Sequence, residues 1–314
     1  MNQFSRKAHN RNTVGGFFVF RQTSHSEKRK EKRDGIMKNQ NRSTVGKNVW
    51  IAGIAGLALA HAAQGGVPLN NLQGAGGVAF NPLAYTAGQN ADEKSTSPFS
   101  KPQFGAWYVS LSDVDVDWTA FGVAETLFGR LELSYGYELV APAAENIKKS
   151  NVGAKLNLIR ENQGGNAFVP AISAGSLWKT TDPVASGSDE SAFDFYVVAT
   201  KLVTQLPRPV LLSGGVLETK EQVTGVFGFN DDYDTTVFAN IDVLPVSSAA
   251  VGFEYKQGAS FDGFKNADYW DVHLAWFANK NLTLAGAYVN AGDEKSSSKV
   301  GLGDGVVLSA QYAF

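Results

Sequence analysis

The clearest period in the chain lies between Arg130 and Leu139. Leu131, Leu133, Tyr135, Tyr137 and Leu139 alternate with Glu132, Ser134, Gly136 and Glu138. Strand side chains point to opposite faces with period two, so this stretch predicts a strand with one apolar and one polar face. The same alternation recurs at about 103–112, 114–124, 127–139, 150–161, 167–179, 192–204, 209–218, 235–244, 248–257, 268–278, 281–290 and 305–314. In the last of these, Val306, Leu308, Ala310, Tyr312 and Phe314 share a face, and the chain stops on the aromatic.

The connections carry a second pattern. Glu125-Thr126, Asn162 to Asn166, Gln205 to Arg208, Pro245 to Ser247 and Asn279-Lys280 are short, with longer polar loops near 140–149, 180–191, 219–234, 258–267 and 291–304 between them. An even count of about twelve strands, each roughly ten residues long, predicts an all-β fold: a closed antiparallel transmembrane barrel, lipid-facing outside and wet inside. A soluble sandwich also alternates. Strand length and aromatics gathered at strand ends (Tyr108, Trp118, Trp178, Trp270, Tyr288) favour the membrane. The first outward turn, near Ser112-Asp113, is unusually short, which leaves room for a miscount or for 72–80 as an extra strand.

Ahead of the strands the chain changes character. Residues 1–36 are polar and basic and read as a start-site overcall or a disordered basic tail. From Met37, the basic Lys38, Arg42 and Lys47 precede an apolar stretch, Val49 to Ala60, and a small-x-small site, Ala60-His61-Ala62. Residues 37–62 therefore predict a signal peptide cleaved near Ala62, and so export. Residues 63–102 form a Gly-rich segment and linker, and 103–314 the barrel. Gly74-x-Gly76-x-x-Ala79 superficially matches a dinucleotide fingerprint, but Pro82 breaks the helix that motif requires, and no βαβ pattern follows. The segment reads either as a periplasmic loop or as a plug tucked into the barrel. Gly74, Gly76, Gly77, Asn81, Pro82 and Tyr85 are the candidate plug residues.

Composition narrows the function. The chain of 314 residues has no Cys and a net charge of −2, which gives no support to disulfides, Cys-based metal sites or nucleic-acid binding. No cofactor or metal site is expected. Strand phase sends Asp115, Asp117, Arg130, Glu132, Glu138, Lys155, Asp194, Asp242, Glu254, Lys256, Asp271, His273 and Gln311 inward as candidate lumen-lining residues. These charges either pair and close the lumen or stay hydrated as a constriction. An acidic loop, Asp231-Asp232-x-Asp234, lacks the spacing of a calcium loop. A surface enzyme ranks last: His273 faces inward, and the residue two positions on is Ala275.

The stretch Gly76 to Tyr85, the strand Phe128 to Glu138 and the terminal strand together resemble an uncharacterised family of proteobacterial outer-membrane barrels, known as a domain of unknown function. The resemblance covers most of the chain after residue 62. It implies an outer-membrane location in a Gram-negative bacterium, lipid as a partner, and a final Tyr312 and Phe314 read by the assembly machinery. It carries no activity and no oligomeric state. The reading is a channel or porin-like barrel passing small polar solutes, with a non-conducting structural or interaction barrel as the alternative and a lipid-modifying enzyme last.

Overall fold

The computed structural model describes residues 69–88, 97–142, 145–292 and 299–314. The basic tail, the signal peptide expected over 37–62, and residues 63–68 and 89–96 lie outside the described residues.

Among the described residues, fourteen strands follow one another: β1 (Gln103–Leu111), β2 (Val116–Leu127), β3 (Leu131–Ala141), β4 (Ile147–Ile159), β5 (Ala171–Asp182), β6 (Ser191–Val203), β7 (Val210–Glu221), β8 (Phe229–Val246), β9 (Ala249–Lys256), β10 (Ser260–Phe261), β11 (Phe264–Lys265), β12 (Tyr269–Phe277), β13 (Leu282–Asn290) and β14 (Asp304–Ala313). β10 and β11 form a two-stranded ribbon in one loop, and the other twelve close a barrel. Every neighbouring pair is antiparallel. The ends meet because β14 lies against β1, with Phe104 opposite Tyr312 and Tyr108 opposite Leu308. Closure leaves no unpaired strand edge, which a hydrocarbon environment would penalise heavily.

The phase of each strand fixes what faces out. Val272, Leu274 and Trp276 of β12 and Val306 and Leu308 of β14 are all about half exposed, as are Val152 and Leu156 of β4 and Phe193, Phe195 and Val197 of β6. A ring of large apolar side chains on the outer surface has no stable partner in water but suits a bilayer.

Several boundaries differ from the sequence reading. β2 runs on through Leu127, so the first tight turn is Phe128 to Arg130 rather than Glu125-Thr126. Phe128 and Gly129 both take positive φ there. β4 begins at Ile147, β7 ends at Glu221 and β8 begins at Phe229, so Lys149 and Glu221 sit in strands rather than loops. The physical reason is that polar residues near these ends face the lumen and still complete ladder hydrogen bonds. Trp118 is not interfacial: it points inward and is 4% exposed. Residues 72–80 add no strand to the barrel.

Candidate functional site

The lumen is occupied by residues 69–88, nearly all of them buried. The segment folds on itself through two isolated bridges, Asn70 with Gly76 and Gly77 with Pro82, and the Asn71 side chain accepts from the backbone of Gln73 and Ala75. Glycine allows the tight packing: a Cβ on Gly77 would lie 2.2 Å from the Asn81 carbonyl oxygen, and one on Gly76 2.6 Å from Glu132 Oε2.

The wall reaches in to satisfy this inner backbone. Glu254 of β9 accepts from three consecutive amides, Ala79, Phe80 and Asn81, at 3.2, 3.0 and 2.6 Å. Glu132 of β3 accepts from Gly76 and Ala87 at 2.9 and 2.6 Å, while Lys155 of β4 donates to the Gly76 carbonyl at 2.8 Å. Gln311 of β14 accepts from the Asn70 amide and, with Trp107 of β1, donates to its carbonyl. Thr200 of β6 and Ser173 of β5 hold the amide and carbonyl of Ala84. Asn81 donates its side-chain amide to the Tyr255 carbonyl. At the end of the barrel where β14 finishes, Tyr85 donates to Glu161 at 2.9 Å. Burial, and then the Glu161 carboxylate, raise the Tyr85 phenol well above its ordinary 10.0. Buried amides without partners are costly, so these contacts are what allow a non-sheet segment to sit inside the barrel.

Around the segment the charges pair along the wall. Glu132–Lys155 and Glu138–Lys149 are 2.9 and 3.0 Å apart, and each couple sits directly opposite in the β3–β4 register. Lys179 lies 2.5 Å from Asp194 and 2.7 Å from Glu221, and Glu221 also takes Lys256 at 3.1 Å and a donor from Gln73. His273 contacts Asp271 through Nδ1 at 2.6 Å and Asp242 through Nε2 at 2.7 Å. Both ring nitrogens are therefore engaged, and neither is left to activate a hydroxyl nucleophile.

Of the residues assigned inward from sequence, Glu132, Glu138, Lys155, Asp194, Asp242, Glu254, Lys256, Asp271, His273 and Gln311 are buried in the lumen. Three are not. Asp117 is exposed and accepts from Tyr108 on the outer face, because β2 turns Val116, Trp118 and Ala120 inward instead. Asp115 is exposed in the β1–β2 turn with positive φ. Arg130 belongs to the β2–β3 turn and donates to the carbonyls of Asn157 and Leu158. Lys149, Lys179 and Glu221 were missed. The signal was present for Lys149, which shares the phase of Lys155 once β4 is extended to Ile147. At the terminal strand, the Phe314 ring meets those of Tyr312 at 4.9 Å and Phe104 at 5.6 Å. Among the described residues, no group of three or more His, Asp or Glu has the arrangement to hold a metal ion.

Fold and site together define the class: a membrane-spanning β-barrel whose lumen holds a segment of its own chain. The chain belongs to the family described as "Protein of unknown function (DUF3034)", whose model matches residues 65–311. No curated protein matches the sequence. Among solved structures the chain is similar to the KdgM porin (12% identity, TM-score 0.46, covering 68% of this chain and 99% of that one). It is also similar to the outer membrane protein Omp33 of Acinetobacter baumannii (11%, TM-score 0.39, 69% and 98%). A third is the outer membrane phospholipase of Salmonella typhi (9%, TM-score 0.39, 72% and 94%).

Proposed function

We propose that this protein is a porin-like channel of the Gram-negative outer membrane, for passive passage of small solutes, with residues 69–88 as a plug. The observation that carries this reading is how the segment is held. Its amides and carbonyls end on side chains of the wall, above all Glu254 and Glu132, and not in the barrel ladder. A segment bound through side chains is bound as a ligand is, and can leave without opening the sheet. An apolar outer belt and a closed sheet support the location. Lipid and the assembly machinery are the partners in this reading, with Tyr312 and Phe314 as the assembly signal. Small polar solutes are the cargo that the inward charges suggest.

A second reading, a non-conducting structural barrel, is favoured by how full the lumen is. Two voids beside the plug measure only about 50 and 30 Å³. Planar-bilayer conductance separates the two. The channel reading expects rare, small openings from the refolded full chain and sustained openings from a chain lacking residues 69–88. Gly136→Val, which displaces the plug without deleting it, serves as the second variant. If both variants migrate as folded barrels and neither conducts, the non-conducting reading replaces the channel.

A further inference from the structure

Charge is shared unequally around the lumen. Each buried carboxylate of β3, β6 and β7 has a lysine. Glu132 has Lys155, Glu138 has Lys149, Asp194 has Lys179, and Glu221 has both Lys179 and, from β9, Lys256. On β8, β9 and β12, the buried Asp242, Glu254 and Asp271 are supplied differently. Among the described residues, the one basic side chain that contacts this trio is the imidazole of His273, held between Asp242 and Asp271.

Glu254 is the middle of that trio. Asn240 of β8 and Asp271 of β12 stand directly opposite it in the two registers. In the next inward row Asp242 and His273 flank Gly252, where a Cβ would lie 2.4 Å from Asp242 Oδ1 and from His273 Nε2. The glycine thus lets the imidazole reach across β9 and pin both aspartates. Asn240 Oδ1 and Asp271 Oδ2 are buried, and neither accepts from an amide, hydroxyl or ammonium. The Asp271 carboxyl also meets that of Glu254. The row is rich in acceptors and poor in donors, and two carboxyl groups in contact need a proton or a cation between them.

The donors that Glu254 does meet come from the plug. Ala79 and Phe80 donate their amides to Oε2, and Asn81 donates to Oε1. Three N–H groups on one carboxylate are what a primary ammonium carries on a single nitrogen, and a guanidinium offers them in a fork. The plug amides fill the oxygens but bring only partial charge. An organic cation brings a full charge and makes stronger, charge-assisted hydrogen bonds. Glu132 is the contrast: it also takes two plug amides, yet it keeps Lys155 at 2.9 Å whether or not the plug is there.

We propose that Asn240, Glu254 and Asp271 form a binding site for a small organic cation bearing N–H groups, a primary amine or a guanidinium, whose place the plug amides take in the closed barrel. This rests on the channel reading above and names its substrate class. Solute and plug compete for Glu254, so binding draws the barrel toward its open form. The open lumen then carries an uncompensated acidic wall and prefers cations.

The test is planar-bilayer recording with n-butylammonium chloride as the probe. Tetramethylammonium chloride, which has the same charge and no N–H, is the control. The proposal expects butylammonium to raise the opening frequency of the full chain several-fold and saturably, and tetramethylammonium to leave it unchanged. Full-length Gly136→Val, with its plug displaced, should prefer K⁺ over Cl⁻ in a KCl gradient. Asp271→Asn should weaken the butylammonium response of the full chain, and Glu254→Gln in the Gly136→Val background should reduce the K⁺ preference. Heat-modified migration on gels verifies that each variant is a folded barrel, and Gly136→Ala replaces Gly136→Val if the latter misfolds. Equal responses to the two ammonium ions, or none to either, overturn the proposal and leave a shared proton as the occupant of the row. An open channel without K⁺ preference also overturns it, and the channel reading stands. If folded plug variants never conduct, the channel reading falls and this inference with it.

Discussion

Gly74 of the plug and Gly136 of β3 meet backbone to backbone. A Cβ on Gly74 would lie 2.8 Å from the Gly136 α-carbon, and one on Gly136 would lie 2.2 Å from the carbonyl oxygen of the neighbouring Gln73. Gly122 of β2, opposite Gly136 in the register, closes on the same point, its Cβ position 2.7 Å from the Gly74 α-carbon. Three glycines thus let the plug touch the wall with no side chain between them. Gly74 also holds a φ of +90°, which L residues rarely adopt.

Gly136→Ala and Gly122→Ala should therefore loosen the plug while the barrel still closes. Overpacking of this kind costs about 1–3 kcal/mol. The measurement is protease accessibility of residues 69–88, or labelling of a single cysteine introduced there, in the folded protein. A plug as protected as in wild type would show that the contact has slack.

Glu254 should matter more through its two oxygens than through its charge. Glu254→Ala leaves three buried amides without an acceptor, at about 1–3 kcal/mol for each group left unpaired. Glu254→Gln keeps one acceptor oxygen and should fall between. Urea unfolding in detergent, followed by the loss of heat-modifiable migration, ranks the three proteins. Equal stability of the alanine and glutamine variants would contradict this.

Lys179 balances Asp194 and Glu221 at once. Lys179→Met strands the buried Asp194 and leaves Glu221 with Lys256 as its one cation, and should cost about 3–5 kcal/mol, the usual loss when one partner of a buried pair is removed. Replacing Asp194 by Asn in the same chain should recover part of that loss. The equilibrium unfolding midpoint of the single and double variants decides.

Alkali should release the plug at its Tyr85 end. Because the folded phenol is raised above its ordinary 10.0, by burial first and the Glu161 carboxylate second, folding holds a proton the free side chain gives up. That stabilisation is fully present below pH 10.0 and is lost as the pH climbs from there toward the raised value. Tyr85→Phe, which has no proton to lose, should flatten the alkaline limb of plug protection while lowering it overall. A limb that stays as steep would assign the alkaline loss to other groups.

Removing the last ring should separate assembly from stability. Phe314→Ser breaks two edge-on ring contacts, together worth about 1–3 kcal/mol. If Phe314 is read during assembly, the yield of folded barrel in cells should fall far more than refolding in detergent does. Parallel losses in the two would leave the residue a packing role only.

The sequence by itself determined the barrel, because in a sheet with lipid outside, the period of two is imposed at every strand. The runs ending at Leu139, Trp276 and Phe314 could be read without knowing their neighbours. It mis-phased Asp117 because β2 carries an aromatic, Trp118, on the inner face, and an aromatic beside an aspartate looks like an interfacial girdle until the partner strand is known. Only the tertiary structure put Gly74 to Tyr85 in the lumen, where the sequence left a periplasmic loop equally open. It also decided that Lys149 and Glu221 join the wall, and that the charges pair with their neighbours rather than across the lumen. Those outcomes depend on which carboxylate comes within 3 Å of which amide once twelve strands close, and such a distance is set by the curvature and stagger of the whole sheet, not by any local run of residues.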